Sequence, residues 1–493
     1  MLDVVIVGGG PTGVVAGHLC GRFDLSAVVF DREADVYDLP RAVGMWDDVQ
    51  RTLDDAGILA GLLPATCVHD GGEFVDAGLR RIVGFDLPPG FRTANGHPPI
   101  RGFHQPTLER VARASLARHP GVALRPGHEV LEIAQDSDGV TAVVREGASG
   151  RTDSVRARWL IGCDGASSFV RKTCGIAWTS LGYDREWLVV DVRLRRDVGL
   201  SRHATQVCDP ERPTTLVPLP MDMHRWEFQL RPGERREDME APERVWALLG
   251  RWVSPADAEI VRAVVYRFHA TIAETFRHGR VLLAGDAAHQ TPPFLGQGLC
   301  SGVRDVHNLV WKLAHVRRGL AGDALLDTYT AERRPLAVAM VEHSVQTGRL
   351  IDAYAAMARG GPEPPAELRR YAYGGDARLP ELSSGLLVPD ASGWPGRPVP
   401  LVAVETDEGR GPFDAVVGPR WAVVSHRDPR PLLAAATRGY FDALGAAFVR
   451  VPEPAGEMLG LLCTHEVVIV RPDRLIWAVG PARSAFRVPG VGG

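Results

Sequence analysis

Arg280-Val-Leu-Leu-Ala-Gly-Asp-Ala-Ala-His-Gln-Thr-Pro-Pro-Phe-Leu-Gly-Gln-Gly-Leu-Cys-Ser-Gly302 is the stretch from which the rest of the chain is read. Val281 to Ala284 is a short apolar run closed by Gly285-Asp286, the pattern of a buried strand. Pro292-Pro293 then forbids helix and fixes a loop. Gly296 and Gly298 remove Cβ atoms where a flat ligand could approach backbone. From Ser301 the pattern turns helical, with Val306, Leu309, Val310 and Leu313 on one face. Strand, acid, loop and helix in this order put a carboxylate and free N–H groups at one point. That suits a polyol-phosphate ligand carrying an electron-rich ring. An ordinary αβ crossover with a Gly/Pro-rich loop is the alternative.

Working outward, 493 residues are enough for about three domains. Hydrophobic residues at 45% and charged residues at 24% give the balance of a globular protein. A net charge of −4 and the lack of a basic run exclude a nucleic-acid footprint. Lysine occurs only at Lys172 and Lys312 while arginine abounds, which reads as coding bias. The cysteines at 20, 67, 163, 174, 208, 300 and 463 contain no Cys-x-x-Cys. This spacing argues against a bound metal or a disulfide framework and predicts a reducing, cytoplasmic setting. The N-terminus runs into a strand without a basic n-region, so no targeting segment is expected. No apolar run approaches the roughly 20 residues of a membrane span.

Leu2 to Val7 reads as a buried parallel strand, Gly8-Gly-Gly-Pro-Thr-Gly13 follows, and a helix runs to about Phe23. Val28-Val-Phe30 is the next strand, ending at Asp31. This is G-x-G-x-x-G in the context it needs, with an acid about 20 residues on. Gly8 makes the tight turn, Gly10 lets backbone reach a pyrophosphate and Gly13 lets helix pack on strand. Asp31 would accept from ribose hydroxyls. NAD and FAD are not distinguished at this point. Arg41 lies in Pro40-Arg-Ala-Val-Gly44, which follows an expected loop, and Gln105 opens a helix over Thr107 to Arg118. Either could reach a ligand or solvent. Val122 to Val144 alternates as strands, with Val130, Leu131 and Ile133 among the apolar positions.

Trp159 to Gly162 reads as a second strand ending near Asp164-Gly165, with Ser167 placed to cap the next helix; a plain turn is the alternative. Trp187–Val192, Thr215–Val217 and Trp226–Leu230 read as antiparallel strands around turns at 209–214 and 222–225, with a helix from Pro242 to Arg251. A helix from Leu325 to Leu350 is expected to break at Pro335. His289 is the obvious general-base candidate near the glycines, but a lone histidine reads as structural. Residues 1–70, 101–175 and 270–350 are expected to form a discontinuous nucleotide-binding domain. Residues 71–100 and 176–269 form an inserted β-rich domain, 351–400 a Pro/Gly-rich linker, and 401–493 a small α/β domain.

Three motifs in this order resemble those of the flavin-dependent aromatic hydroxylases of the para-hydroxybenzoate hydroxylase type. They are Gly8-x-Gly10-x-x-Gly13, Cys163-Asp-Gly-Ala-Ser-Ser-x-Val-Arg171 and Gly285-Asp-Ala-Ala-His-x-x-Pro-Pro-x-x-Gly-x-Gly298, and the resemblance covers residues 1 to about 345. Within that group Pro40–Gly44, Trp187–Val192, Cys208–Pro213, Trp226–Phe228 and Asn308–Leu313 look most like 3-(3-hydroxyphenyl)propionate hydroxylases. The resemblance implies an α/β fold: a Rossmann-like FAD-binding domain, an inserted antiparallel β substrate domain and a C-terminal thioredoxin-like domain without redox cysteines.

The resemblance also implies site residues. FAD would be held by Gly8, Gly10, Pro11, Thr12, Gly13, Asp31, Arg32, Arg41, Gln105, Val130, Asp164, Gly285, Asp286, Pro293, Gly296, Gly298, Leu299 and Cys300. Arg41, Pro292 and Pro293 would act at the reacting centre, and Gln206, Cys208, Thr215 and Val217 would wall the substrate. Two departures stand out: Cys300 where relatives carry Asn, and Met45-Trp46-Asp47 where they often carry acids. The implied reaction is hydroxylation of a phenolic ring with O₂ and NADH or NADPH, through a flavin C4a-hydroperoxide. A phenolic acid related to 3-(3-hydroxyphenyl)propionate is the expected substrate; an aromatic polyketide or other secondary metabolite is the alternative. A non-catalytic flavin-binding interaction protein is a reading of another class. A flavin disulfide reductase would need a redox cysteine pair, which is missing. A homodimer is an open expectation.

Overall fold

The carboxyl edge of one twisted sheet collects the three motifs, in a computed structural model that describes residues 1–377, 379–488 and 490. The sheet runs Arg277–His278, Val281–Leu283, Thr152–Gly162, Leu2–Val7, Ala27–Asp31, Val122–Pro126. Its central pairs are parallel, and the register sets Val7 beside both Gly162 and Phe30, and Gly162 beside Leu283. Three strands therefore end side by side, which brings Gly8, Asp164 and Asp286 to one edge, where doubly wound sheets bind ligands. Val4 to Val7 and Ile161 are buried, as strands covered on both faces require. The second strand is longer than the Trp159–Gly162 core expected, because its first half pairs antiparallel with Val140–Glu146.

A second sheet of eight strands contains the inserted segment: Gly71–Val75, Arg81–Asp86, Trp178–Leu194, Ala204–Val207, Thr214–Pro218, Met223–Gln229, Ala258–Ala273 and His289–Gln290. The hairpin turn falls at Leu219–Asp222 and not at 222–225. Met221 and Asp222 both take positive φ, 63° and 57°, the mirror-image turn that suits strand twist, without the Asn-Gly signal that would announce it. One sheet face packs Leu188, Val190, Trp226 and Phe228 under the Pro242–Leu249 helix. The other face packs Trp187 and Cys208 against Phe294 and Leu350.

The helix expected to break at Pro335 runs unbroken over Asp327–Ala358. Proline leaves the Ala331 carbonyl without its helical donor, and Ser384 Oγ donates to it instead at 3.4 Å. Regular structure thus continues past residue 350 into the stretch read as linker. The cap after Asp164 is Ser168, not Ser167: its Oγ accepts from Arg171 N at 2.9 Å. The last segment forms a six-stranded sheet in which Ala422–Ser425 and Ala447–Arg450 are parallel and the other pairs antiparallel. Its Trp421, Val423 and Trp477 belong to the same buried cluster as Trp311 and Val310. Among the described residues, no helix is long and apolar enough to cross a membrane.

Candidate active site

Steric room explains the glycine turn. A Cβ on Gly8, where φ is +103°, would sit 2.4 Å from Cys163 O, and one on Gly13 would sit 1.8 Å from Gly8 O. A Cβ on Gly10 would meet nothing within 4 Å, so this position opens on free space. The Pro11–Arg22 helix starts there without a side-chain cap or an acid in its first turn, leaving N–H groups for an anion. Thr12 locks this helix onto the third motif: added Cβ atoms on Gly285 and Gly302 would lie 2.8 and 2.3 Å from its Oγ1.

Asp31 ends its strand as expected, but it is not alone. Arg113 Nη2 donates to its carboxylate at 2.5 Å and to Gly9 O at 2.9 Å. Arg113 escaped the sequence reading; its only local signal is the acid–base spacing Glu109/Arg113 on one helix. Arg32 points to solvent beside Glu33. Val130 is buried in the strand that pairs with Val140–Glu146. Gln105 is buried and works inward: its Oε1 accepts from the N–H groups of Arg41 and Ala42 at 3.1 and 2.7 Å, and its Nε2 donates to Glu109 at 2.8 Å. Asp164 is also engaged locally, accepting from Ser168 Oγ at 2.6 Å and Val170 N at 3.0 Å.

Asp286 differs from both. It is solvent-exposed and has no hydrogen-bond or ion-pair partner among the described residues. Protein nevertheless surrounds it closely: burial raises its carboxyl pKa, against the pull of His289 and Arg41. His289 itself is inside, its Nε2 2.6 Å from Asp305 Oδ2, which also accepts from Gly285 N. The Pro292 carbonyl accepts from Ser344 Oγ at 2.8 Å and the Pro293 carbonyl from Gly296 N at 2.8 Å, so both prolines shape the loop with carbonyls already used. Gly296, at φ +62°, starts the Gln297–Arg317 helix without a side-chain cap. The N–H groups of Gly298 and Leu299 are thus first-turn groups with no acceptor in the helix. A Cβ on Gly298 would meet nothing within 4 Å. Cys300 Sγ turns away toward Gly44 O at 3.8 Å, and Trp46 Nε1 holds Leu295 O at 3.1 Å.

The four substrate candidates share a sheet face. Gln206 pairs across with Thr215, and its Oε1 accepts from Thr215 Oγ1 at 2.7 Å. Its Nε2 donates to Tyr373 Oη at 2.9 Å, and that hydroxyl donates to Phe294 O at 2.6 Å. Cys208 is buried in a cluster with Trp187, Phe294 and Tyr354, and Val217 is half-buried. Tyr373, in the stretch read as linker, is the residue that ties this face to the Pro292–Gly296 loop. Arg225 and Arg262 add a second tie. Arg225, buried in an ion pair with Asp191, donates to Arg41 O at 2.6 Å and Pro40 O at 2.7 Å, and Arg262 also reaches Pro40 O.

Two open positions in glycine turns, two uncapped helix N-termini and a free carboxylate on one sheet edge fit a long dinucleotide with a polyol chain. In keeping with this, residues 1–344 match the family described as FAD binding domain. The chain belongs to that family of FAD-dependent enzymes, and within it to the flavin-dependent aromatic hydroxylases. It is 35% identical to "Probable NADH-specific resorcinol 4-hydroxylase" of Rhodococcus jostii (strain RHA1), over 99% of this chain and 94% of that one. It is 34% identical to a 3-(3-hydroxy-phenyl)propionate/3-hydroxycinnamic acid hydroxylase of Mycobacterium sp. (strain JLS), over 96% of this chain and 88% of the relative. Among solved structures, anhydrotetracycline hydroxylase OxyS of Streptomyces rimosus superposes with a TM-score of 0.75 at 28% identity, covering 97% of this chain and 96% of its own. The flavin-dependent monooxygenase PieE, at 23% identity, shares the fold with a TM-score of 0.81 over 98% of this chain and 96% of its own.

Proposed function

We propose that this chain hydroxylates a single-ring phenol at the expense of NADH and O₂. One observation carries this: the hydrogen-bonded series Thr215–Gln206–Tyr373–Phe294 joins the inserted sheet to the loop that precedes the open helix N-terminus. FAD, when bound, supplies the redox and oxygen chemistry; the protein binds, orients and dries the site. In this reading the Gly8–Gly13 turn takes the pyrophosphate, Asp31 with Arg113 the adenosine end, and Asp286 a ribityl hydroxyl. The N–H groups of Gly298 and Leu299 meet the ring system, and Arg41 lies beside it. Gln206, Cys208, Thr215 and Val217 wall the substrate.

Tyr183 and Trp187 stand edge-on to Phe294 at 5.8 and 5.4 Å between centroids, which favours a small ring over a polycyclic one. Resorcinol and 3-(3-hydroxyphenyl)propionate, named for the relatives, are the first substrates to try. NADH is the proposed reductant for the same reason. A cytoplasmic homodimer, and division into the FAD, substrate and C-terminal segments at the boundaries given above, belong to this proposal too. The test is NADH consumption with each phenol, with mass spectrometry of the product. A gain of one oxygen atom supports the reading; NADH oxidation indifferent to every phenol sinks it.

A further inference from the structure

Glu227 stands at the middle of the inserted sheet, on a strand paired on both sides: Thr215 is opposite on one neighbour and Val189 on the other. Trp226 and Phe228 point to the face covered by the Pro242–Leu249 helix. Alternation therefore turns Glu227 to the side of Thr215 and Gln206, where Tyr373 and Phe294 lie. The residue is 5% exposed, yet no hydrogen bond reaches its carboxyl from any described residue. The nearest cation, Arg225 Nη1, is 4.0 Å away and is committed to Arg41 O and, through Nε and Nη2, to Asp191.

The groups facing it are Arg225, Asp191 and Arg262 on its own and neighbouring strands, with Tyr183 and Tyr373, whose hydroxyls feel its charge. Burial pushes its pKa up to about 7, with Arg225 and Arg262 pulling down and Asp191 pushing up. A buried carboxyl without a donor is costly unless something outside the chain satisfies it. Tyr183 packs on Phe294 and Tyr373 bonds its carbonyl, so the carboxyl and the Pro292–Gly296 loop flank the same aromatic wall.

We propose that Glu227 accepts the hydrogen bond of the substrate's ring hydroxyl and takes its proton as the ring is oxygenated; the assignment rests on the phenolic reading above. The phenolic O–H bond breaks and a Glu227 O–H bond forms. The electron pair left on the phenolic oxygen enters the ring, whose carbon bonds one oxygen atom of O₂ as the O–O bond breaks; the two electrons from NADH and two protons carry the other oxygen atom away as water. When that carbon loses its own proton, the ring becomes aromatic again and Glu227 returns the proton to the phenolic oxygen. A base titrating near neutrality suits such a transfer.

The test uses FAD-loaded, oxidised enzyme and two ligands, 3-(3-hydroxyphenyl)propionate and its 3-methoxy analogue, with binding followed by calorimetry. Wild type should prefer the hydroxyl by at least tenfold, E227Q should lose that preference, and E227D should keep part of it. In turnover, the wild-type rate of product formation should fall below about pH 7 as the carboxyl takes a proton. E227Q should lack that limb and divert NADH to peroxide. If E227Q keeps the wild-type ratio of the two affinities and the same pH profile, Glu227 only balances the arginines and the proposal is overturned. If wild type itself fails to distinguish the ligands or to hydroxylate any phenol, the fault lies with the phenolic reading and the proposal falls with it.

Discussion

Asp286 and Glu227 are two carboxyl groups that the chain leaves without donors, and each implies a measurable effect. Replacing Asp286 by Ala should weaken FAD binding by roughly 1.5–3 kcal/mol, the loss of a charged hydrogen bond, or about ten- to hundredfold in Kd. Titration of apoenzyme with FAD checks this, and unchanged affinity would remove Asp286 from the site. Glu227 affects stability through its pKa, which is raised from 4.5 to about 7 on folding. A carboxyl raised in the folded state costs nothing below its unfolded pKa, and the cost grows as pH climbs from about 4.5 to 7. It saturates at about 3.5 kcal/mol, taking about 1.4 kcal/mol for each unit. E227Q should therefore gain thermal stability over wild type at pH 8 and gain little at pH 5. An equal difference at both values would show that the carboxyl is not held neutral by its surroundings.

At the scale of elements, the Pro40–Arg41 segment is gripped from two sides, by Gln105 at the start of its helix and by Arg225 and Arg262 on the second sheet. We expect Arg41→Ala to retain FAD but to slow its reduction by NADH in the presence of substrate, read by anaerobic stopped flow. A mutant with full substrate stimulation would leave Arg41 as a surface charge. Substituting Thr215 and Val217 together by Phe should change phenol affinity while FAD stays bound; indifference in both would mean that this face meets no ligand. Much of this was legible in the sequence wherever partners are close along the chain or share a strand's alternation. Gly8, Gly13, Asp31 and Asp286 announce themselves by strand-end position, and the 206/208 and 215/217 alternation located the inner face. Arg113 and Tyr373 did not show, because each matters through a residue 82 or 167 positions away. Pro335 misled for the same reason: the hydroxyl that repairs its helix comes from Ser384. Glu227 lies in a segment that reads as a strand and as part of the family resemblance; nothing local tells which charges surround it.

Across the whole molecule, the C-terminal sheet is part of the core. Glu332 accepts from Lys312 Nζ at 2.9 Å, Asn308 Nδ2 at 2.6 Å and Arg471 Nη2 at 2.8 Å, all buried. Burial alone would raise its pKa; Arg471 and Lys312 outweigh that and hold it well below the usual carboxylate range. Its contribution is thus present above its unfolded pKa of 4.5 and is lost as acidification proceeds below it. Removing one member of a buried charge set costs about 3–5 kcal/mol, so Glu332→Ala should lower the unfolding midpoint sharply even though the residue lies outside the proposed FAD and substrate contacts. Chemical denaturation with FAD absorbance and tryptophan fluorescence followed together checks this, and a midpoint within error of wild type would contradict it.

The order of strands in the first sheet also bears on how the protein is made. Gly8 and Gly13 leave the ribosome early, but Gly8 packs on Cys163, and Thr12 packs on Gly285 and Gly302. At about 5–20 residues per second, roughly 15–55 s of synthesis separate the glycine turn from Asp286. Under the proposed assignment, the two ends of FAD have no common holder until then. Even after Asp286 emerges, the Trp311 side of its helix waits for Trp421 and Trp477 to cover it. A nascent chain of this protein therefore carries Trp311 without its Trp421 and Trp477 neighbours until its last sheet closes.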